Sequence, residues 1–522
     1  MPAKTFVMQG QRRVTYGEIE QKTTQLASFL ISRGVKKGDR VGILSENSPE
    51  YISAYFGIQK AGGIAVDINY QYSAREIEKI LNHSLPTVVI AERKYLDAVI
   101  SSVTKTPSVR TVIGIDRTSR KQSLPGAIAG CSSGSPSYIS LDEVVDRDCT
   151  SCAFPATNPG DIAAIVYTSG TTGEPRGVML SHQNFVSNAQ SITSYLQLSE
   201  KDSVMVILPF CYSYGKSLLM THIMAGGTLI LENSFMYPNM VLNKMIEEGV
   251  TGFAGVPSTY AILLNRSNIR NYQFPKLRYL TQAGGAMPPQ HAQQLQQVFP
   301  DSRIYIMYGQ TEATARLTYL EPCELVRKAG SIGKAIPGVT IELIKEGNIQ
   351  AYIGEEGEIV ASGNNVMVGY WNNPEETRKA LRNGKLFTGD MARMDEEGYL
   401  YIVGRRSDMI KSGAHRISPK EIEEVIVELT EVYEVAVVGI DDEILGQAIK
   451  AFVVLKDGAT LDAKKVKQHC RSRLASFKIP KEVVFVPDLP KTSSGKVRRY
   501  ELKHHGRPVN AESSGKDVAT PI

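Results

Sequence analysis

The sequence predicts an α/β protein. A large, layered α/β domain is expected over residues 1–404, a small mobile α+β domain over 405–505, and a disordered tail over 506–522. Three observations carry this expectation. Short apolar runs alternate with amphipathic stretches of helical period through the first part of the chain, the pattern of parallel strands covered by helices. At 522 residues the chain is too long for a single core and predicts more than one domain. Past residue 411 the order changes to helix, two strands and helix within about a hundred residues, an ordinary size for a separate domain.

Taken in order, Thr15-Tyr-Gly-Glu18 is a capping-box pattern, and Ile19, Leu26, Phe29 and Leu30 give the helix behind it an apolar face. Gly34 and Gly38 stop that helix, and residues 41–44 read as a strand. Ser48-Pro49 starts a second helix that ends at Gly62-Gly63, and 64–68 is the next strand. Residues 118–140 are Gly/Ser-rich without apolar period and read as a surface loop. Residues 161–166 form a short apolar run, a buried strand. Ser181 caps a helix whose apolar face is Phe185, Ala189, Ile192 and Leu196. In the small domain, Ser418-Pro-Lys-Glu421 reads as another capping box, followed by a stripe of Ile422, Val425, Ile426 and Leu429. Residues 435–438 and 451–455 read as strands, and Val466, Cys470, Leu474 and Phe477 mark one more amphipathic helix.

Composition excludes several classes. A net charge of +5 is small for this length and gives no global case for nucleic acid. No apolar run is long enough for a transmembrane segment. The N-terminus meets Gln11-Arg-Arg13 too early for a signal peptide. The six cysteines are scattered, and Cys149-Thr-Ser-Cys152 alone lacks the further ligands a zinc site needs, so they read as free thiols of a cytoplasmic protein. The end of the small domain is basic: residues 463–505 hold twelve Lys and Arg against three acids. This is either a solvated face or a surface that meets a polyanion.

The chemistry concentrates in Tyr167–Val178, Y-T-S-G-T-T-G-E-P-R-G-V, placed between the 161–166 strand and the Ser181 helix. Gly170, Gly173 and Gly177 let the backbone turn N–H groups toward an anion, Thr168, Ser169, Thr171 and Thr172 add donors, and Arg176 supplies fixed charge. Together these suit a polyphosphate. The stretch is not a Walker loop. Gly215-Lys216-Ser217 has the right ending, but Phe210 stands where the first glycine belongs, and Gly495-Lys496 is preceded at that spacing by Pro490.

This loop resembles the phosphate loop of the adenylate-forming (ANL) superfamily, which holds acyl-CoA synthetases, peptide-synthetase adenylation domains and luciferases. Arg176 stands where the family usually has Lys. Further stretches match in the same order over nearly the whole chain, and the chain is identified as a member of the acyl-CoA synthetase, acid–thiol ligase type. The resemblance implies the family's fold, a large AMP-binding domain with a small mobile domain. It also implies roles. The stretch containing Gly284, Gly285 and Ala286 resembles the adenine-side loop. Tyr308-Gly309-Gln-Thr311-Glu312 reads like Y-G-x-T-E, with Tyr308 on adenine, Thr311 on the α-phosphate and Glu312 on Mg²⁺, whose ligands are oxygens. Asp390 of Phe387-Thr-Gly-Asp390 matches the carboxylate that accepts from both ribose hydroxyls. Gly369-Tyr-Trp371 also matches, with an expected role in turns and packing. Arg405 matches an arginine on ribose and phosphate. Ser407 falls at the hinge pivot, where the family has Asp or Lys. Lys411 and Gly413 match the thiol tunnel, and Lys496 the lysine that enters the site during adenylation.

The implied acyl side includes Tyr212 and Tyr214, with Val256, Ser258, Thr259 and Gln282 as further pocket candidates. No Asp or Glu occurs between Ser203 and Leu231, and a buried ammonium without a carboxylate is costly, which argues for an acid without an α-ammonium. The expected reaction is ATP-dependent activation of a carboxylic acid through an acyl-AMP, with Mg²⁺ on ATP, followed by transfer to a thiol. The thiol is CoA or the phosphopantetheine of a separate carrier protein. CoA is favoured by the lack of an insertion of the kind acyl-AMP ligases carry. A non-catalytic nucleotide binder is the third reading, and luciferase-like oxidation has no positive sign.

Overall fold

The computed structural model describes residues 1–116, 136–145, 153–169, 175–406, 408–412, 415–442, 445–491 and 497–503. The chain divides into two compact units, Met1–Ile402 and the part from Val403 onward. The first holds two large sheets. In one, the parallel strands Arg303–Tyr308, Tyr279–Gln282, Gly252–Gly255, Ser203–Val206 and Thr228–Leu231 lie side by side in that order, and Thr5–Gln9 and Arg12–Thr15 follow. The other runs from Gly369–Tyr370 through Pro175–Ser181, Ile162–Ser169, Ile64–Asp67, Arg40–Leu44, Val88–Glu92 and Thr111–Ile115 to Ser137–Ser140. A third, antiparallel sheet is built around Val339–Lys345, Glu356–Gly363 and Lys385–Met394.

The two large sheets share one core. It joins Val7, Val204 and Leu229 of the first to Ile43, Ala65 and Val178 of the second, through Leu26, Phe29, Tyr51, Tyr55, Phe185 and Leu219 on intervening helices. Helix Pro49–Lys60 buries Pro49 through Tyr55 without a break, as expected of a helix with sheet on both sides. Helix Tyr16–Ser32 starts at Thr15 with both bonds of the capping box. Helix His182–Leu196 starts at Ser181, with Asn184 as the reciprocal partner. Its predicted face of Phe185, Ala189, Ile192 and Leu196 is buried.

The second unit is a sheet of Val432–Asp442, Gly446–Leu455, Ile410–Ser412, His415–Ile417 and Glu482–Phe485. Helices Pro419–Val427 and Ala463–Arg471 pack on it through Ile422, Ile426, Val466 and Cys470.

Several local expectations are corrected. Between the 161–166 run and the Ser181 helix the structure adds a strand that the sequence reading did not include: Pro175–Ser181, antiparallel to Ile162–Ser169. Ser137–Ser140 is a strand paired parallel to Thr111–Ile115, and Leu141–Val145 a short helix, while 117–135 lie outside the described residues. Ser418 precedes its helix but does not cap it. Its hydroxyl donates to the Val403 carbonyl, so the capping-box bond is not made. The 463 helix ends at Arg471, and Phe477 sits exposed on a separate 3-10 turn. Much of the basic excess is paired with acids elsewhere in the unit: Lys465 with Glu431, Lys478 with Glu421, Lys481 with Asp442, Lys491 with Glu434 and Arg499 with Glu423, at 2.6 to 2.7 Å. That favours a balanced, solvated surface over a polyanion dock.

Candidate active site

Four neighbouring parallel strands end at one edge. Ser203–Val206 leads into 208–214, Gly252–Gly255 into Val256, Ser258 and Thr259, Tyr279–Gln282 into Gly284–Ala286, and Arg303–Tyr308 into Thr311 and Glu312. The carboxyl ends of parallel strands are where open α/β sheets bind ligands, because loops are free there and the strands fix their roots. Residues scattered over more than a hundred positions are gathered by this one topological fact.

Within it, three side-chain pairs organise the site. Tyr308, the last residue of its strand, donates from its hydroxyl to Asp390 at 2.8 Å. Asp390 is buried on Lys385–Met394, just after Gly389, whose positive φ of 75° admits the turn and whose N–H donates to Glu358. Tyr370 donates to Glu312 Oε1 at 2.9 Å, and the Met367 N–H donates to the Glu312 carbonyl, so this carboxylate is anchored at both side chain and backbone. Burial and the facing Glu312 carboxylate both push the Tyr370 hydroxyl pKa up, which keeps it a donor. Thr311 and Ser213 bring their hydroxyls to 3.3 Å, tying the 308–312 corner to the first turn of helix Ser213–Ala225.

The hairpin joins this corner through the short strand Gly369–Tyr370, which pairs with Val178 and Met179. Thr168 stands opposite Arg176. The Arg176 guanidinium pairs with Glu376 at 2.8 Å and lies over the Tyr370 ring at 5.7 Å. Gly170, Thr171, Thr172 and Gly173 lie outside the described residues, as do Ser407, Gly413, Lys496 and the tail 506–522. Arg405 and Lys411 belong to the second unit, on strands Leu400–Arg405 and Ile410–Ser412, and both are exposed.

The adenine-side loop is exposed after its strand, with Gly284 at φ 89°. The buried Gln282 side chain donates to the Gly285 carbonyl at 2.8 Å and so braces this loop. Tyr214 is buried, with its hydroxyl donating to the Thr281 carbonyl at 2.8 Å. Tyr212 is half-buried and accepts from Asn69 at 2.8 Å. Val256 and Ser258 are half-buried and Thr259 buried at the start of helix Pro257–Arg266. Sequence reasoning gave Gly369-Tyr-Trp371 only a packing role, and did not see Glu376 or Asn365. The partners Tyr370–Glu312 and Arg176–Glu376 are far apart in the chain, and no local pattern announces them.

Among the described residues no three His, Cys, Asp or Glu side chains gather as a metal site, and no helix is long and apolar enough to cross a membrane. Glu312, a single anchored carboxylate, would suit a hard divalent cation that is carried in on a phosphate ligand.

Comparison with known proteins agrees with this arrangement. The AMP-binding enzyme family matches residues 1–371, and the AMP-binding enzyme C-terminal domain matches 421–496. A long-chain-fatty-acid–CoA ligase of Bacillus subtilis is 34% identical over 520 residues, covering 96% of this chain and 91% of that protein. A feruloyl-CoA synthase of Amycolatopsis is 31% identical over 505 residues, covering 96% of each chain. The crystal structure of an anthranilate CoA ligase in complex with anthranoyl-AMP superposes with a TM-score of 0.87 at 26% identity, over 96% of this chain and 94% of that one. With matched domains spanning most of its length and relatives above 30% identity along nearly all of it, the chain belongs to the AMP-binding enzymes of the adenylate-forming superfamily.

Proposed function

We propose that this protein is an ATP-dependent carboxylic acid–CoA ligase that works through an acyl-AMP. The observation that carries the reading is the pair of braced groups at the strand edge, Glu312 held by Tyr370 and Tyr308 held by Asp390. They give a fixed place for a metal–phosphate and for a nucleoside side by side. In the first step a carboxylate oxygen attacks the α-phosphorus of MgATP. The bond from that phosphorus to the bridging oxygen breaks, and pyrophosphate leaves. Thr168 to Gly173 and Arg176 hold the leaving phosphates, Thr311 the α-phosphate, Glu312 the metal, Asp390 and Arg405 the ribose, and Gly284 to Ala286 with Tyr308 the adenine. Lys496 neutralises the charge that develops as pyrophosphate departs. The work is positioning and electrostatics in a site built before substrate arrives.

In the second step the thiol sulfur attacks the acyl carbon, AMP leaves, and the thiol proton is lost to solvent. CoA is the acceptor in this reading, and the small domain turns about Ser407 to bring Lys411 and Gly413 to the thiol's path. Use of ATP and CoA as co-substrates supports a cytoplasmic location. The acid carries no α-ammonium, since none of the residues from Ser203 to Leu231 could neutralise one.

The direct test is incubation with MgATP, CoA and a mixed panel of carboxylic acids, read by mass spectrometry. A CoA thioester is expected. An AMP ester that accumulates without thioester would move the acceptor to a carrier protein, and neither product would refute the reading. The tunnel assignment has its own test. Gly413→Leu is expected to leave acyl-AMP formation within about threefold and to cut thioester formation by at least about a hundredfold, because the side chain closes the path only of the second substrate. Equal loss of both steps would remove Gly413 from the tunnel.

A further inference from the structure

Three Lys or Arg side chains are buried among the described residues: Lys216, Arg316 and Lys328. Lys216 pairs with Asp67, and Lys328 with Asp395 and Glu397. Arg316, 2% exposed, makes no ion pair among the described residues. Its Nε donates to the Met307 sulfur and its Nη1 to the Ala315 carbonyl, both at 3.3 Å, and its guanidinium lies over the Tyr214 ring at 4.1 Å. A guanidinium has five N–H donors and cannot shed its charge. A thioether, the neighbouring carbonyl, the Tyr195 hydroxyl and a ring face are all neutral partners, weak compensation for burying a charge.

The backbone is strained to put it there. Thr314 has φ 66° and ψ −50°, and the Ala315 N–H donates to the Ala313 carbonyl at 2.7 Å, which is a γ-turn of a rarely populated kind. The turn is held from outside. The Thr314 hydroxyl donates to the Asn365 carbonyl, the Asn365 amide donates to the Ala313 and Arg316 carbonyls, and the Asn188 amide donates to the Arg316 carbonyl. Gly309 is required for the same reason, because a Cβ there would stand 2.1 Å from the Ala315 oxygen. Strain of this kind persists where the surroundings over-determine it, and it concentrates at functional sites. Arg316 is four residues past Glu312 and stacked on Tyr214, one of the residues on the acyl side. It is therefore a held, charged group beside Tyr214, which the ligase reading assigns to the acyl side.

We infer that Arg316 recognises a second carboxylate on the acid, so that the natural substrate is a dicarboxylic acid activated at one end and held by Arg316 at the other. This rests on the ligase reading and names its substrate class. A carboxylate matches the planar fork of the guanidinium and supplies the charge that the described residues leave out.

The test is pyrophosphate release with two series of acids matched in chain length, monocarboxylic and ω-carboxy, aliphatic and aromatic. The wild type is expected to favour the ω-carboxy series by at least about tenfold in kcat/KM. In Arg316→Leu the ratio of diacid to monoacid kcat/KM should fall by about a hundredfold, mainly through KM of the diacid, as for a truncated buried charge pair. Arg316→Gln, which keeps polar donors without charge, guards against a variant that fails to fold and should lose most of the same ratio. A wild type that activates monoacids at least as well, with both variants lowering the two series alike, overturns the inference and leaves the ligase reading standing. Release with neither series would overturn both.

Discussion

Glu312→Gln is expected to slow acyl-AMP formation by about a hundred- to a thousandfold, the loss typical of a single preorganised electrostatic group. The change is nearly isosteric. It keeps an acceptor for the Tyr370 hydroxyl, which lies 2.9 Å from Oε1, and it leaves the Met367 bond to the Glu312 carbonyl untouched. What it removes is the negative charge that a hard cation needs. The defect should therefore deepen as Mg²⁺ is lowered, and recover in part at high Mg²⁺. Tyr370→Phe gives the comparison. It keeps the charge and loses the brace, with an expected cost of about tenfold or less, since the carboxylate keeps its backbone anchor. The measurement is pyrophosphate exchange at several Mg²⁺ concentrations for both variants and the double variant. If Tyr370 acts through Glu312, the double variant should lose little more than Glu312→Gln alone. An Mg²⁺-independent defect in Glu312→Gln would take the metal role away from this residue.

How much of this was legible in the sequence depends on whether the signal was local. The Thr15 and Ser181 helix starts are written in three or four consecutive residues, and the structure makes both sets of bonds. The Ser418 stretch has the same local pattern but a competing acceptor, the Val403 carbonyl, fifteen residues away. A pattern search cannot see that competitor. The strand at Pro175–Ser181 was missed because its identity comes from pairing with Ile162–Ser169 and Gly369–Tyr370, not from its own alternation. Four of the expected segments, at 208–214, 256–259, 284–286 and 308–312, follow parallel strands that lie side by side, whereas Asp390 and Arg176 sit on antiparallel strands of the other two sheets. The braces did not show. Tyr370 on Glu312, Asp390 on Tyr308 and Asn365 on the Thr314 turn join residues about 50 to 80 positions apart. Arg316 was passed over because a lone arginine has no meaning in a sequence until its burial and its lack of an ion-pair partner among the described residues are known.

Lys216 was dismissed as part of an incomplete Walker motif, and the structure gives it a different importance. It is 1% exposed, and its ammonium lies 3.1 Å from Asp67, 2.5 Å from the Tyr51 hydroxyl and 3.5 Å from the centre of the Tyr55 ring. Tyr51 in turn donates to Asp67. Burial pulls the Lys216 pKa down to about 8 and pushes Asp67 up, so each depends on the other to stay charged. The pair also joins the two large sheets. Asp67 ends strand Ile64–Asp67 of one, and Lys216 sits in the helix that follows strand Ser203–Val206 of the other. Two residues past Asp67, Asn69 holds Tyr212, and three residues before Lys216, Ser213 touches Thr311. Lys216→Met or Asp67→Leu alone should destabilise the large domain by about 3–5 kcal/mol, because each leaves an uncompensated charge in the core. The double variant should recover most of that loss, since the remaining volume is apolar and the desolvation cost of both ions is gone. Denaturant unfolding of the full chain reads the stability, and pyrophosphate release under conditions where each variant is folded reads the site. If the pair only supports the core, the double variant regains activity together with stability. If it also sets the angle of the helix that carries Ser213, stability returns while adenylation stays low. Single variants as stable as the parent would mean that the two charges are solvated in the folded protein, and the buried ion pair would have to be abandoned.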